Sequence, residues 1–396
     1  MPRNRTQFTQ AVAVLLAVAA GALTCFSADS TSQPQTSEAP MFTAVSTHVV
    51  REESRTYITG LEKVEWGNAS PYQSSMIAVL TLAQQAGGDA ADYVNLMGAS
   101  GLAFRLQVYQ PDGCPSSPHA CCGFDCWTQA LWACGRKLES FDTGGADPAT
   151  IDKARAAIVA SIDRGWPVIY ASEEAGLVTG YIDGGKQLLV RPYSPKAEGY
   201  VTTDKWPWGI TVLSPDESAP PAKDVAVNAL RLAVHLWETP NFEAYASGQA
   251  AYDAWARQLD DDKRFEGKDA KALRGACQAN AFTYGSLNQA RGFAATYLRS
   301  IQDQFDVEAQ GHIAKAAELF DQSVRANDAL GHCPWSLFPR NLKGGAEWTA
   351  DLRHKQAAVL REMAKLDGQA VQQIKLALEA EGVDVALPAM VGKAGQ

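Results

Sequence analysis

Six histidines and eight cysteines bound any nucleophilic chemistry in this 396-residue chain. A catalytic thiol must ionise, and its partner imidazole must titrate near neutrality. Cys126, in Asp125-Cys126-Trp127 at the expected start of a helix, occupies a position where the helix dipole lowers a thiol pKa. His119 lies just upstream, while His48, His235, His312, His332 and His354 are distant in sequence and no histidine falls between residues 120 and 234. Cys126 also belongs to a cluster with Cys114, Cys121, Cys122 and Cys134, and in an exported chain such a cluster is expected to be oxidised to disulfides. With His119 the cluster has zinc-capable donors. The adjacent pair Cys121-Cys122 spaces them poorly, so neither a metal nor a cofactor is expected.

Other residues suit binding better than turnover. Glu173 and Glu174 would give a cleft a polar floor, and Glu174 becomes a general acid or base only where burial or a neighbour raises its pKa. Arg191 has the fork geometry to clamp a carboxylate, or else pairs with Glu174. Trp206 and Trp208 suit a cleft rim that stacks on a ligand, or cover a sheet edge.

The elements that must hold these residues centre on residues 164–192. PVIY, GLVTGYI and QLLVRP read as three strands, with Asp183-Gly184-Gly185 turning the last two into a hairpin. A helix over 148–163 precedes them, and GITVL (209–213) follows as a further strand. Upstream, FTAVSTHVV and TYITGLEKV read as edge strands. Ser74 or Ser75 is expected to cap a helix, a short helix spans 90–97, and SGLAFRLQVY reads as a strand. Asp125 is expected to cap a helix over 127–137, followed by a strand at 138–141. Beyond residue 222 the spacing of apolar residues predicts helices over 225–237, 244–259, 270–301, 307–330 and 346–380. If 270–301 and 307–330 run antiparallel, the loop holding Cys333 returns towards Cys277. A bond between them would stabilise by roughly 4 kcal/mol in the chain-entropy model.

The order of helix, GWPVI, EAGLVTGY, turn and LLVRP, with the early helix and DYVNLMGASGLAFRL, resembles the papain-like cysteine peptidase superfamily. Within it the chain is most similar to the branch of the butirosin-biosynthesis protein H N-terminal family and the double-glycine peptidases. The resemblance covers roughly residues 60–213 and implies cysteine-dependent acyl transfer or peptide cleavage. Its catalytic positions are substituted in this chain. The nucleophile falls on Ser74 or Ser75, and the base, seven residues before Tyr181, on Glu174. The Asp that often follows the third strand falls on Arg191. A carboxylate of pKa about 4 is a weak base towards a hydroxyl.

The expected fold class is therefore α+β, a papain-like domain of antiparallel sheet and helices followed by an all-α domain. The chain divides into a signal peptide over 1–28, a tether over 29–41, the papain-like domain over 42–213, a linker over 214–222, the helical domain over 223–385 and a tail over 386–396. Arg3, Arg5 and the apolar stretch 11–23 give the signal its form, implying export, with lipid anchoring through Cys25 the less favoured outcome. A net charge of −9 and pI near 5.3 disfavour nucleic acid as a partner, and no later stretch is long and apolar enough to span a bilayer. Three functions follow. The substituted cleft binds a peptide or small acyl/amino compound without catalysis, Cys126 serves an active acyltransferase or peptidase, or the helical domain docks a partner.

Overall fold

The computed structural model describes residues 47–62, 71–110, 113–120, 122–172, 175–193, 199–214, 220–330 and 348–387. Cys25, Cys121, Glu173, Glu174, His332 and Cys333 lie outside them, as do the expected signal peptide and tether. The fold is α+β, with antiparallel strand pairing throughout the described sheets.

The main sheet takes strands β1 (Val49–Arg51), β2 (Arg55–Ile58), β4 (Leu138–Asp142), β5 (Val168–Ala171), β6 (Gly176–Ile182), β7 (Gln187–Pro192), β8 (Val201–Thr203) and β9 (Gly209–Leu213). Its order is β1-β2-β6-β5-β9-β4, with β7 also pairing β6 and β8 pairing β7. The β6–β7 hairpin turns on Asp183, Gly184 and Gly185, all at positive φ (49°, 64° and 89°). Asp and Gly are the residue types that reach this region at low cost. A bulge between Val178 and Gly180 shifts the register, and Leu177 then pairs with Arg191.

Helix α1 (Pro71–Ala86) packs against β5 and β6. Ile77, Leu80, Leu82 and their neighbours from Met76 to Ala83 are all buried, so this part of the helix is covered on every face. Helix α2 (Tyr93–Ala99) and α3 (Cys126–Ala133) pack on it from the side, and α4 (Pro148–Asp163) also packs on β6. Gly176 to Gly180 are buried without alternation, as in a strand covered on both faces, and α1 and α4 both pack on β6. Because Pro71 starts α1, positions 74 and 75 fall inside the helix rather than at its cap. Proline is favoured at a first helical position because its missing N–H has no intrahelical partner there.

The second half is helical: α5 (Ala222–Glu238), α6 (Gly248–Asp260), α7 (Ala270–Ile301), α8 (Val307–Asp328) and α9 (Ala350–Ala380). Two expectations are corrected at its junction with the first half. The stretch expected to be helical from 244 begins as a strand, since β10 (Asn241–Phe242) and β11 (Tyr245–Ser247) form a hairpin before α6 starts. SGLAFRLQVY contributes only β3 (Gln107–Tyr109), which pairs with β11 in a separate three-stranded sheet. Aromatic Phe242 and Tyr245 favour the pleated pairing, and the Tyr109 and Tyr245 rings lie 5.4 Å apart across the ladder.

One apolar core crosses the junction. Tyr93 meets Phe293 edge-on at 5.3 Å, and Phe104 packs on Tyr297 and Phe320. Gly98 permits this approach of α2 to α7, because a Cβ there would lie 2.1 Å from Tyr297 Cγ. Gly98→Ala should lower the unfolding free energy by about 3 kcal/mol, the upper end of overpacking costs. Gly275→Ala, in open space on α7, should be neutral or stabilising by helix propensity. Urea denaturation of both variants checks the contrast.

Candidate functional site

The cysteine-rich loop is shaped by one cation. Arg105, 2% exposed at the end of the turn before β3, sends its guanidinium into the loop over 118–124. Nη1 donates to the carbonyls of Cys122 (3.1 Å) and Phe124 (3.0 Å), and Nη2 to those of Pro118 and His119 (both 2.6 Å). The planar fork reaches four carbonyls that no single ammonium could serve together. Gln107 adds a fifth tie by accepting from the Phe124 N–H at 3.3 Å.

The loop delivers Cys126 to the first turn of α3. Asp125 caps that helix as expected, accepting from the Thr128 N–H at 3.0 Å and the Thr128 hydroxyl at 2.7 Å. The Cys126 N–H donates to the carbonyls of Phe124 and Ala120. Its sulfur is wholly buried, and burial pushes the thiol up to about 11 against the opposing pull of Arg105. His119 is half-buried, and desolvation, helped by the Arg105 charge, pushes its imidazole down to about 4. At neutral pH both groups are therefore uncharged, the reverse of a thiolate–imidazolium pair.

Cys114, Cys122, Cys126 and Cys134 are thiols in this structure, without the bonds expected within the cluster. Cys277 is buried on α7, and its expected partner Cys333 lies outside the described residues. Among the described residues no group of three or more His, Cys, Asp or Glu side chains is arranged to hold a metal ion.

The remaining predicted site residues separate. Positions 74 and 75 lie near the start of α1, whose body packs on β5 and β6. Glu173 and Glu174 fall outside the described residues, immediately before β6. Arg191 is 2% exposed within β7, not an open clamp; burial lowers its pKa, with the Tyr200 and Tyr170 hydroxyls nearby. Trp206 is half-buried under the Arg155 guanidinium, 5.8 Å from the ring centroid. Trp208 is 50% exposed, and its backbone ties β5 to the 143–144 turn: its N–H donates to Ala171 and its carbonyl accepts from Thr143 and Gly144. Trp206 therefore covers the sheet, whereas Trp208 stands free at its rim.

Two features escaped sequence reasoning. Arg105 reads as one polar residue in an apolar run, and only the folded-back loop gives it a role. A cavity of about 640 Å³ opens beside the end of α1, with Cys134, Arg136, Asp89 and Tyr297 among its lining residues. There Arg136 pairs with Asp89 and donates to Gln84 at 3.2 Å, while burial pushes the Cys134 thiol up to about 11.

The His119 shift carries a pH dependence. A histidine whose folded pKa lies below its unfolded value of about 6.5 binds more protons when unfolded, so stability falls as pH drops from about 6.5 towards 4. Allowing for partial solvent screening, the loss is on the order of 2 kcal/mol. His119→Gln should flatten that part of the stability profile, measured as urea midpoints at pH 7 and pH 4.5.

The sequence matches no protein-family model and no curated protein. Among the described residues no helix is long and apolar enough to cross a membrane.

Proposed function

We propose that this is an exported protein whose sheet-bearing half is a papain-like domain with substituted catalytic positions. Its cleft, between the start of α1 and the start of β6, binds a peptide or small acyl/amino compound without Cys–His chemistry. The observation that carries this reading is the burial of Cys126, with its thiol and the His119 ring both uncharged at neutral pH. Cys126 is sealed in the core with its thiol near 11, and His119 is held near 4. Further support comes from the α1 helix laid on an antiparallel sheet and from the β6–β7 hairpin, both in the order the resemblance implies. Ser74 or Ser75 and Glu174 then serve as binding groups, with Trp208 at the rim, while Arg191, buried within β7, supports the sheet rather than the ligand.

The test is incubation of the purified mature protein with a library of peptides and thioesters, following both turnover and binding. The expected result is saturable binding by a subset of compounds with no product formed. Turnover that is abolished by thiol alkylation would overturn the proposal.

A further inference from the structure

Cys114 and Cys122 lie on either side of the loop tip at residues 116–119, and the fold returns the second towards the first. The Ser117 N–H donates to the Cys114 carbonyl at 3.0 Å, and the Cys122 N–H to the His119 carbonyl at 3.1 Å, so two successive turns close the loop. Arg105 fixes the Cys122 end through its carbonyl, and Ser117 Oγ fixes the Cys114 end by accepting from the Tyr109 N–H at 3.1 Å. The Cys114 sulfur lies 2.8 Å from Ser116 Oγ. The Cys122 thiol meets that same hydroxyl and the phenol of Tyr245, with the Cys114 sulfur close enough to act on it electrostatically. The two thiols share one small hydroxyl as a neighbour, on a loop pinned at both ends. Both are half-buried and reachable by a small molecule, whereas Cys126 is fully buried and Cys134 lies at the far end of α3.

We propose that Cys114 and Cys122 are a disulfide-forming pair, oxidised by thiol–disulfide exchange with a small or protein-borne disulfide. One cysteine thiolate attacks a sulfur of the incoming disulfide, breaking its S–S bond and releasing one thiolate. The second cysteine thiolate then attacks the protein-bound sulfur of this mixed disulfide, forming the Cys114–Cys122 bond and expelling the second thiolate. The two leaving thiolates take up the two protons that the cysteines lose. The protein gives up two electrons, and the incoming disulfide accepts them. Burial holds the Cys122 thiol above its ordinary value, so exchange accelerates as pH rises. The bond would clip the loop beside the β3–β11 ladder, where the sheet-bearing and helical halves pair, and is independent of whether the cleft binds a ligand.

The experiment equilibrates the full-length mature chain with oxidised glutathione, denatures it without reductant, alkylates it and counts alkyl groups by intact mass. Electron-transfer fragmentation of the unsubstituted protein then identifies the bonded residues. The expected result is a Cys114–Cys122 link. Cys114→Ser and Cys122→Ser should each abolish that link, the surviving cysteine being either alkylated or left carrying one glutathione, and the double variant should lose both signals. Three results would each overturn the proposal. They are a link from Cys114 to the neighbouring Cys121, a Cys122 link to another cysteine that survives in Cys114→Ser, and a glutathione adduct that persists on either cysteine of the unsubstituted protein without resolving.

Discussion

Asp367→Ala should lower the unfolding free energy by about 3–5 kcal/mol, the cost of leaving a buried charge without its partner. Arg291 Nε and the Tyr252 hydroxyl both donate to Asp367 Oδ2 at 2.6 Å, and the Arg291 and Asp367 side chains are each 1% exposed. Burial alone would disfavour the guanidinium charge, but the Asp367 carboxylate beside it holds the Arg291 pKa above its ordinary value. Arg291 also donates to the Ala103 carbonyl at 3.1 Å, so α7 and α9 are joined to the turn that leads into β3. Removing the carboxylate strands both a cation and a phenol. Arg291→Met combined with Asp367→Leu removes both charges and fills similar volume, so the double variant should be more stable than Asp367→Ala alone. Urea denaturation followed by tryptophan fluorescence measures both. Equal stability of Asp367→Ala and the unsubstituted protein would show that this contact does not hold the halves together.

The second large effect belongs to Arg105. Arg105→Met keeps the aliphatic stem but withdraws the donors from four loop carbonyls. Hydrogen bonds to a charged donor contribute about 1.5–3 kcal/mol each, and water recovers part of the loss at the half-buried positions, leaving about 3–5 kcal/mol. The consequence for the site is more specific than the loss of stability. With the loop released, Cys122 and Cys126 should become alkylatable under native conditions, several-fold faster than in the unsubstituted chain. Arg105→Lys should recover only part of the stability, because one ammonium cannot reach carbonyls spread over residues 118–124. Alkylation rates by mass spectrometry, paired with urea midpoints, separate loop release from global unfolding.

Where structure is set locally, the sequence is a good guide. The helix over 148–163 carries its own start signal, since Asp147 accepts from the N–H groups of Ala149 and Thr150 and Pro148 follows. The β6–β7 hairpin is equally readable, because three adjacent residues at positive φ leave few alternatives to Asp-Gly-Gly. The start of α7 at Ala270 is fixed by the Asp269 cap. Readability fails where a partner is distant in the chain. The pairing of β3 with β11 joins residues 107–109 to 245–247, and no local pattern in alanine-containing EAYAS separates that strand from the helix behind it. Asp367 occupies an ordinary polar position on an amphipathic helix until Arg291 arrives from α7. The candidate site divides in the same way. The Asp125 cap is legible from its own neighbours. The burial of Cys126 and Arg191 depends on how the chain packs around them.

The most direct measurement of the account is native-state labelling with a thiol-reactive peptide electrophile at neutral pH, with modification located by mass spectrometry. Cys126 should remain unmodified until the protein is unfolded, and then react like any other cysteine. Rapid, stoichiometric labelling of Cys126 in the folded protein, with a bell-shaped dependence on pH, would contradict it.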